Sequence, residues 1–185
     1  VSRIADKKPF EVEIIRDEIP IYSVTSSFML DHETGYIQLR RFSSTTSQEV
    51  SDALNQLRGE GMTQLIFDLR TNSGGYLEQA VDVTDNFFVS SDTIVYTEGR
   101  RSGSRKVCWA ASRKGDEDEA LVVLIDRWSA RASEIVAGAI QDLDRGLIVG
   151  ETSFGKGLVQ QQWILNDDSA LRVTVGRYYT PSGRL

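Results

Sequence analysis

The hydrophobic positions along this chain follow two periods. Alternating apolar and polar residues are typical of half-buried strands, and short continuous apolar runs are typical of strands covered on both faces. Strands of these two kinds are predicted at 9–24, 35–42, 64–70, 120–126 and 146–150. Apolar residues spaced three and four apart, as in amphipathic helices, fill the segments 45–61, 76–88 and 131–144.

Strands that alternate with helices in this way indicate an α/β layered fold with a largely parallel central sheet. Binding sites in such sheets form where loops leave the strand ends. The loops 70–75 and 126–131 are therefore the first places to look for a site. After residue 157 the pattern becomes that of a β-hairpin, in which two alternating segments flank the polar turn NDDS.

Composition and charge exclude several classes of function. The 185 residues suit one sizeable domain, and the net charge of −6 argues against a nucleic-acid partner. The single cysteine, Cys108, rules out an internal disulfide and a thiolate metal cluster, and the single histidine, His32, lies in a turn-like segment. No metal and no cofactor are expected. Because no apolar run approaches the roughly 18 residues of a membrane helix, any export signal or membrane anchor is expected outside this sequence.

The segment GETSFGK, residues 150–156, matches the G-x-x-x-x-G-K pattern of loops that bind nucleotide phosphates. Two features argue against that interpretation. Gly157 stands where a serine or threonine would hold magnesium, and a strand-like run follows where a helix N-terminus would face the phosphate. No nucleotide is therefore expected. On spacing alone, Gly155 and Gly157 permit a tight turn and Lys156 points to solvent.

Four segments carry a more specific signal. They are FDLRTNSGG (67–75), DRWSARASEIVAGAIQD (126–142), VGETSFGKGLVQQ (149–161) and, more weakly, VTVGRYYTPSGR (173–184). In type, order and separation they resemble the carboxy-terminal processing peptidases, or tail-specific proteases, a serine peptidase family that uses lysine as its base. The resemblance covers the chain from about residue 20 onward.

The resemblance implies a layered core related to the crotonase and ClpP folds, preceded by a PDZ domain that receives substrate tails. Residues 1–20 look like the end of that PDZ domain, and 21–185 look like the peptidase core, cut short at its C-terminus. Members of the family act outside the cytoplasm, in the bacterial periplasm or cell envelope. Their substrates are proteins with apolar carboxyl ends, so protein or peptide partners of that kind are expected here.

The chemistry of a serine–lysine pair can be placed on named residues. A serine hydroxyl needs an adjacent base, and a lysine amine serves when desolvation or a neighbouring cation lowers its pKa. The resemblance assigns the base to Lys156 and a polar partner for its amine to Gln160. It assigns the two backbone N–H groups of an oxyanion hole to Gly74 and to Ala132, the residue after the nucleophile.

The nucleophile position is where this chain departs from the family. The family pattern is S-A-S-A-S-E, and its middle serine precedes the catalytic lysine by 25 positions, which corresponds to Arg131. A guanidinium stays protonated and has no acceptor, so it cannot attack a carbonyl. The sequence therefore predicts a peptidase scaffold with little or no peptidase activity.

Three interpretations of Arg131 stay open. In the first, the chain is a catalytically silent relative that binds protein tails, and Arg131 pairs with a carboxylate. In the second, the arginine is an acquired change, since serine and arginine codons can differ by one base. In the third, Ser129 or Ser133 has taken over as nucleophile. Trp128 and Trp163 are interpreted as core residues, with the alternative that Trp128 walls the pocket. Glu134 is interpreted as a helix-start residue whose capping box is broken by Arg131, at a cost of about 0.5–2 kcal/mol.

Overall fold

The computed structural model describes residues 21–89, 91–101, 103–111 and 119–185. The expected PDZ remnant at 1–20 lies outside the described residues. The elements, in chain order, are β1 Val24–Met29, β2 Thr34–Leu39, α1 Thr46–Gly59, β3 Gln64–Asp68, α2 Leu77–Thr84 with a 3₁₀ turn Asp85–Phe87, β4 Thr93–Gly99, β5 Lys106–Trp109, β6 Ala120–Ile125, α3 Ala132–Asp142, β7 Leu147–Gly150, β8 Leu158–Ile164 and β9 Ala170–Tyr179.

The central sheet has five strands in the order β1-β2-β3-β6-β7. Strands β2, β3, β6 and β7 run parallel to one another, and β1 pairs antiparallel with β2 at one edge. The predicted mixed α/β fold with a largely parallel sheet is therefore confirmed. Phe67 and Val123 are fully buried in adjacent strands, as expected for strands covered on both faces.

A second sheet of four antiparallel strands has the order β5-β4-β9-β8. It contains the predicted C-terminal hairpin, because β8 and β9 pair antiparallel, with Leu158 opposite Arg177 and Ile164 opposite Ala170. Strands β4 and β5 are absent from the predicted elements. They are short and flank a basic turn, so their apolar signal is diluted by RRSGSRK at 100–106.

The three helices contribute the core that supports the site. The predicted apolar face of α1 is buried and consists of Val50, Ala53, Leu54 and Leu57. Most residues of α3 are also buried. Because α3 is enclosed on nearly every side, its N-terminus is fixed relative to both sheets. Among the described residues no helix has the length and apolar character needed to cross a bilayer.

Candidate active site

The two loops singled out from the sequence lie side by side. Strands β3 and β6 are parallel neighbours with Asp68 opposite Leu124, so the loops that follow them leave the same edge of the sheet. Asp126 joins these loops, because its carboxylate accepts hydrogen bonds from the N–H groups of Thr71 (3.0 Å) and Trp128 (2.9 Å). Burial by itself would raise the pKa of the Asp126 carboxyl, but these hydrogen bonds hold it below its ordinary value.

Asn72 fixes the first loop against the start of α3. Its side chain is fully buried, donates to the Leu39 carbonyl (2.9 Å) and accepts from the Gly74 N–H (2.9 Å). Its own carbonyl accepts from the Ala130 N–H (3.0 Å) and from the Ser133 hydroxyl (2.9 Å). Both predicted loops are therefore held in one arrangement by buried hydrogen bonds.

Arg131 lies at the entrance of α3 in a strained backbone conformation. It is the N-cap residue, with φ 53° and ψ −107°, a region that residues with a Cβ rarely adopt. Such strain persists only where the surrounding contacts impose it, and nucleophiles on sharp turns into helices are a known example. The same turn would present a side chain at position 131 to the cavity beside it.

The capping box expected to be broken at Arg131 is half retained. The arginine side chain has no acceptor and makes no cap hydrogen bond, as predicted. Glu134, however, still accepts the Arg131 N–H through Oε2 at 2.8 Å. The helix therefore loses only one of the two reciprocal bonds.

Glu134 also has a wider role than the sequence predicts. Its Oε1 accepts from the Ser153 hydroxyl (2.8 Å) and the Gly155 N–H (2.5 Å), and its Oε2 accepts from the Lys156 N–H (2.9 Å). One carboxylate thus connects the entrance of α3 to the turn that carries Lys156. The signal in the sequence was the acidic side chain three residues after position 131, which was interpreted only as a helix cap.

Arg131 and Lys156 line the same cavity, of about 540 Å³. The other residues that line it are Thr71, Ser73, Trp128, Ala130 and Phe154. Lys156 is partly buried, so it does not simply point to solvent as the spacing alone suggested. The structure therefore brings the predicted base and the predicted nucleophile position to one opening in the surface.

Gly74 and Ala132, the predicted oxyanion donors, lie next to Arg131. A Cβ added to Gly74, which has φ +93°, would approach the Arg131 Cβ to 2.8 Å and the Ala132 nitrogen to 3.0 Å, so glycine is required there. The Gly74 N–H donates to the Asn72 side chain, as described above. The Ala132 N–H has no acceptor among the residues that the structure describes.

Gln160 is not brought into the cavity of Lys156. It is exposed on β8 and lines a second cavity of about 230 Å³, together with Arg131 and Ala132. The pairing of β8 with β9 shifts register between Val159 and Gln160. Such an irregularity changes the direction of the side chains that follow it, compared with a regular strand. Residue spacing in the sequence cannot reveal this change.

Ser129 and Ser133 are both fully buried. The Ser129 hydroxyl donates to the Leu69 carbonyl (2.8 Å), and the Ser133 hydroxyl to the Asn72 carbonyl. A hydroxyl enclosed in this way cannot reach a substrate. The interpretation in which either serine replaces the nucleophile is therefore wrong for this arrangement of the backbone.

Aromatic side chains border the cavity. Trp128 is 60% exposed and Phe154 is 59% exposed, and both line the 540 Å³ cavity. Trp128 is therefore not a core residue, and the alternative interpretation, in which it forms a wall of the pocket, is the correct one. The core interpretation is also wrong for Trp163, which is 41% exposed on β8. Phe154 and Ser73 were missed because they lie in polar, glycine-containing loops with no periodicity.

Tyr178, on β9, holds the turn that carries Lys156. It is buried on β9 and its hydroxyl donates to the Lys156 carbonyl. Burial raises the pKa of the Tyr178 phenol, the nearby Glu134 carboxylate adds to the rise, and the Arg131 guanidinium opposes it. The phenol is therefore a hydrogen-bond donor at neutral pH. No group of three His, Cys, Asp or Glu side chains within the described ranges is arranged to hold a metal ion.

Comparison with known proteins decides the family. A sequence model of peptidase family S41 matches residues 33–185. The chain belongs to peptidase family S41. Among S41 relatives, the carboxy-terminal-processing protease of Bartonella bacilliformis is 38% identical over 99% of this chain and 42% of its own length. The carboxyl-terminal-processing protease of Synechocystis sp. is 42% identical over 80% of this chain and 34% of its own length.

A solved structure supports the same assignment for this S41 chain. The photosystem II D1 C-terminal processing protease superposes with a TM-score of 0.78 and 34% identity, over 91% of this chain and 46% of that one. The predicted resemblance to the carboxy-terminal processing peptidases is therefore confirmed. The chain spans less than half the length of each relative named here.

Proposed function

We propose that this chain is the core of a serine-type endopeptidase of the carboxy-terminal processing family, with position 131 as the seat of the nucleophile. The observation that carries the proposal is the strained turn at residue 131, which opens into the cavity that Lys156 lines. A nucleophile and its base must lie within reach of each other, and a strained entrance to a helix is where such nucleophiles are held. With Arg131 in that seat, we expect little or no peptidase activity.

The proposed roles follow from what each group can do. A serine hydroxyl at position 131 would lose its proton to the Lys156 amine as it attacks the substrate carbonyl, and the resulting ammonium would protonate the leaving nitrogen. Water, activated by the same amine, would then hydrolyse the acyl ester and regenerate the serine. The N–H of Ala132 and that of Gly74 would stabilise the oxyanion. For this, Gly74 must exchange its bond to Asn72 for one to the oxyanion. Gln160 would orient the amine only after β8 moves.

Arg131 removes this chemistry in two ways. It has no lone pair to offer to a carbonyl, so no acyl intermediate can form on it. It also places a permanent cation beside Lys156, and its long side chain fills part of the space where the reacting peptide bond would lie. We therefore assign the peptidase chemistry to the scaffold and not to the chain with arginine at 131.

The substrates we propose are proteins with apolar carboxyl ends, in an exported location such as the periplasm or cell envelope. The names of the Bartonella and Synechocystis relatives support processing at carboxyl termini. The apolar residues Leu77, Ile135 and Leu158 in the second cavity support the apolar preference. A PDZ domain and a membrane anchor outside this sequence belong to the same proposal, and neither a nucleotide nor a nucleic acid does.

Replacement of the arginine by serine tests the proposal. Arg131→Ser should cleave an unfolded protein with an apolar carboxyl end at least about a hundredfold faster than Arg131→Ala, because only the first supplies a hydroxyl. Cleavage is followed by mass spectrometry of the products. Both variants remove the guanidinium, so the comparison separates a restored nucleophile from a cavity that is merely unblocked.

A second substitution identifies the base. Lys156→Met in the Arg131→Ser background should return cleavage to the level of Arg131→Ala, since the amine is gone and the side-chain length is kept. Equal rates for Arg131→Ser and Arg131→Ala would refute position 131 as the place of the nucleophile. Unchanged cleavage after loss of Lys156 would refute Lys156 as the general base.

A further inference from the structure

Arg131 and Lys156 are two basic residues whose side chains have no partner in the part of the chain that the structure describes. Neither side chain forms a hydrogen bond or an ion pair with any residue in the described part of the chain. Other arginines of the protein are paired with carboxylates, as in Arg58–Glu119, Arg70–Asp68, Arg127–Glu151 and Arg184–Asp142. Exposed basic residues such as Arg41, Lys106 and Arg177 also lack a carboxylate partner among the described residues. Arg131 and Lys156 differ from them because both are partly buried and both line one cavity.

No carboxylate lies among the residues that line this cavity. The nearby carboxylate of Glu134 is engaged by the N–H groups of the Lys156 turn and by the Arg131 N–H, and not by the guanidinium. The N-terminus of α3 begins at the same place and adds partial positive charge, and the Ala132 N–H has no acceptor among the described residues. All of these features favour a negatively charged ligand.

We infer that the cavity between Arg131 and Lys156 binds the free α-carboxylate of a peptide chain. A guanidinium binds a carboxylate through two parallel hydrogen bonds, and an ammonium group can add a third. The aromatic rings of Trp128 and Phe154 give the cavity apolar walls, which suit a peptide end better than an inorganic anion. The ligand class is therefore a peptide with a free carboxyl terminus.

The second cavity indicates the terminal side chain. Arg131 lines both cavities, so a carboxylate bound to its guanidinium would place the last side chain near the second one. Leu77, Ile135 and Leu158 give that cavity an apolar side, and Gln160 adds a polar group to its lining. An apolar terminal residue would be buried there, which is favourable in proportion to the area it removes from water.

Strand β8 provides a place for the rest of the peptide. It is the last strand of its sheet and pairs only with β9 among the described strands, so its outer edge has backbone groups open to pairing. An extended peptide can add to such an edge with main-chain hydrogen bonds. The site would thus hold a peptide tail by its carboxylate, its last side chain and its backbone.

This inference does not depend on the proposed peptidase chemistry. It requires the two cations and the apolar cavity of the chain as it is, whereas the rescue of cleavage requires a serine at position 131. Failure of Arg131→Ser to cleave a substrate would not contradict carboxylate binding by the unmodified chain. Absence of carboxylate binding would not contradict cleavage by Arg131→Ser.

The test compares two peptides that differ only at their ends. A short fluorescein-labelled peptide ending in leucine, with a free carboxylate or with a carboxamide, is titrated with the unmodified chain and followed by fluorescence anisotropy. The free acid should bind at least about tenfold more tightly than the amide, because a charge-assisted bidentate bond is lost in the amide. Equal affinities would overturn the inference.

Variants show whether the preference arises in this cavity. Arg131→Gln should bring the two affinities within about threefold of each other, whereas the matched change Arg127→Gln should keep the full preference. Arg127 lies on the same loop and pairs with Glu151, away from the cavity lining. A preference that survives Arg131→Gln, or disappears with Arg127→Gln, would also overturn the inference.

Discussion

Residue 131 combines an arginine side chain with a backbone conformation that arginine rarely adopts. Its φ of 53° with ψ −107° lies outside the usual left-handed helical region, and conformations of this kind cost about 1–3 kcal/mol for a residue with a Cβ. The cost is met by hydrogen bonds on both sides, from Ala130 to Asn72 and from Arg131 to Glu134. The strain therefore belongs to the position and not to the arginine.

Glycine at this position should reveal the strain. Arg131→Gly should have a free energy of unfolding about 1 kcal/mol higher than that of Arg131→Ala, because glycine adopts positive φ without a steric penalty. Urea denaturation of the two variants measures the difference. Since both lack the arginine side chain, its contacts cancel in the comparison.

The same pair of changes at Asn55 is the control. Asn55 is exposed in the middle of α1, where glycine should be less stable than alanine by about 1 kcal/mol. The order of stability should therefore be opposite at the two positions. Alanine more stable than glycine at both would contradict the strain at residue 131.

At the scale of elements, the site is a junction of three segments that two carboxylates hold together. Asp126 connects the loop after β6 to the loop after β3, and Glu134 connects α3 to the turn before β8. Each carboxylate accepts several backbone N–H groups, which orients the loops, and for Asp126 these hydrogen bonds also hold the pKa below its ordinary value. The rigidity of the site therefore depends on charge as well as on packing.

The lowered pKa of Asp126 makes the junction sensitive to acid. A carboxyl whose folded pKa lies below its ordinary value of 3.8 stabilises the fold above that pH, and this stabilisation is lost as the pH falls through the folded pKa. Asp126→Asn cannot ionise, so it should be less stable than the unmodified chain at about pH 6 and closer to it at about pH 3. Urea denaturation at both pH values tests this. A difference in unfolding free energy that stays constant across the range would contradict the role of the Asp126 charge.

At the scale of the whole molecule, much of the fold could be predicted from periodicity. The strands at 64–70 and 120–126 and the helix around 131–144 are long or strongly apolar, and the parallel sheet follows from their alternation. Strands β1, β4 and β5 were not identified, because short strands beside turns give a weak signal. Strand β4 also pairs with the distant strand β9, a contact that no local pattern contains.

The candidate site could be predicted in part. Sequence spacing and resemblance identified Arg131, Lys156, Gly74 and Ala132, and the structure places all four at one junction. The position of Gln160 depends on a register shift in β8, and the four hydrogen bonds of Glu134 depend on a turn that is distant in sequence. Both are tertiary effects, so residue spacing alone could not anticipate them.

The measurement that tests the central claim most directly is the location of an acyl group in the Arg131→Ser variant. The variant is treated with an activated ester of an apolar peptide, and the acylated residue is found by peptide mass spectrometry. We expect one acyl group, on the serine introduced at position 131, and none when Lys156→Met is added, because the hydroxyl then lacks its base. An acyl group on Ser73 or another native serine, or acylation that persists without Lys156, would contradict the assignment of position 131 as the seat of the nucleophile.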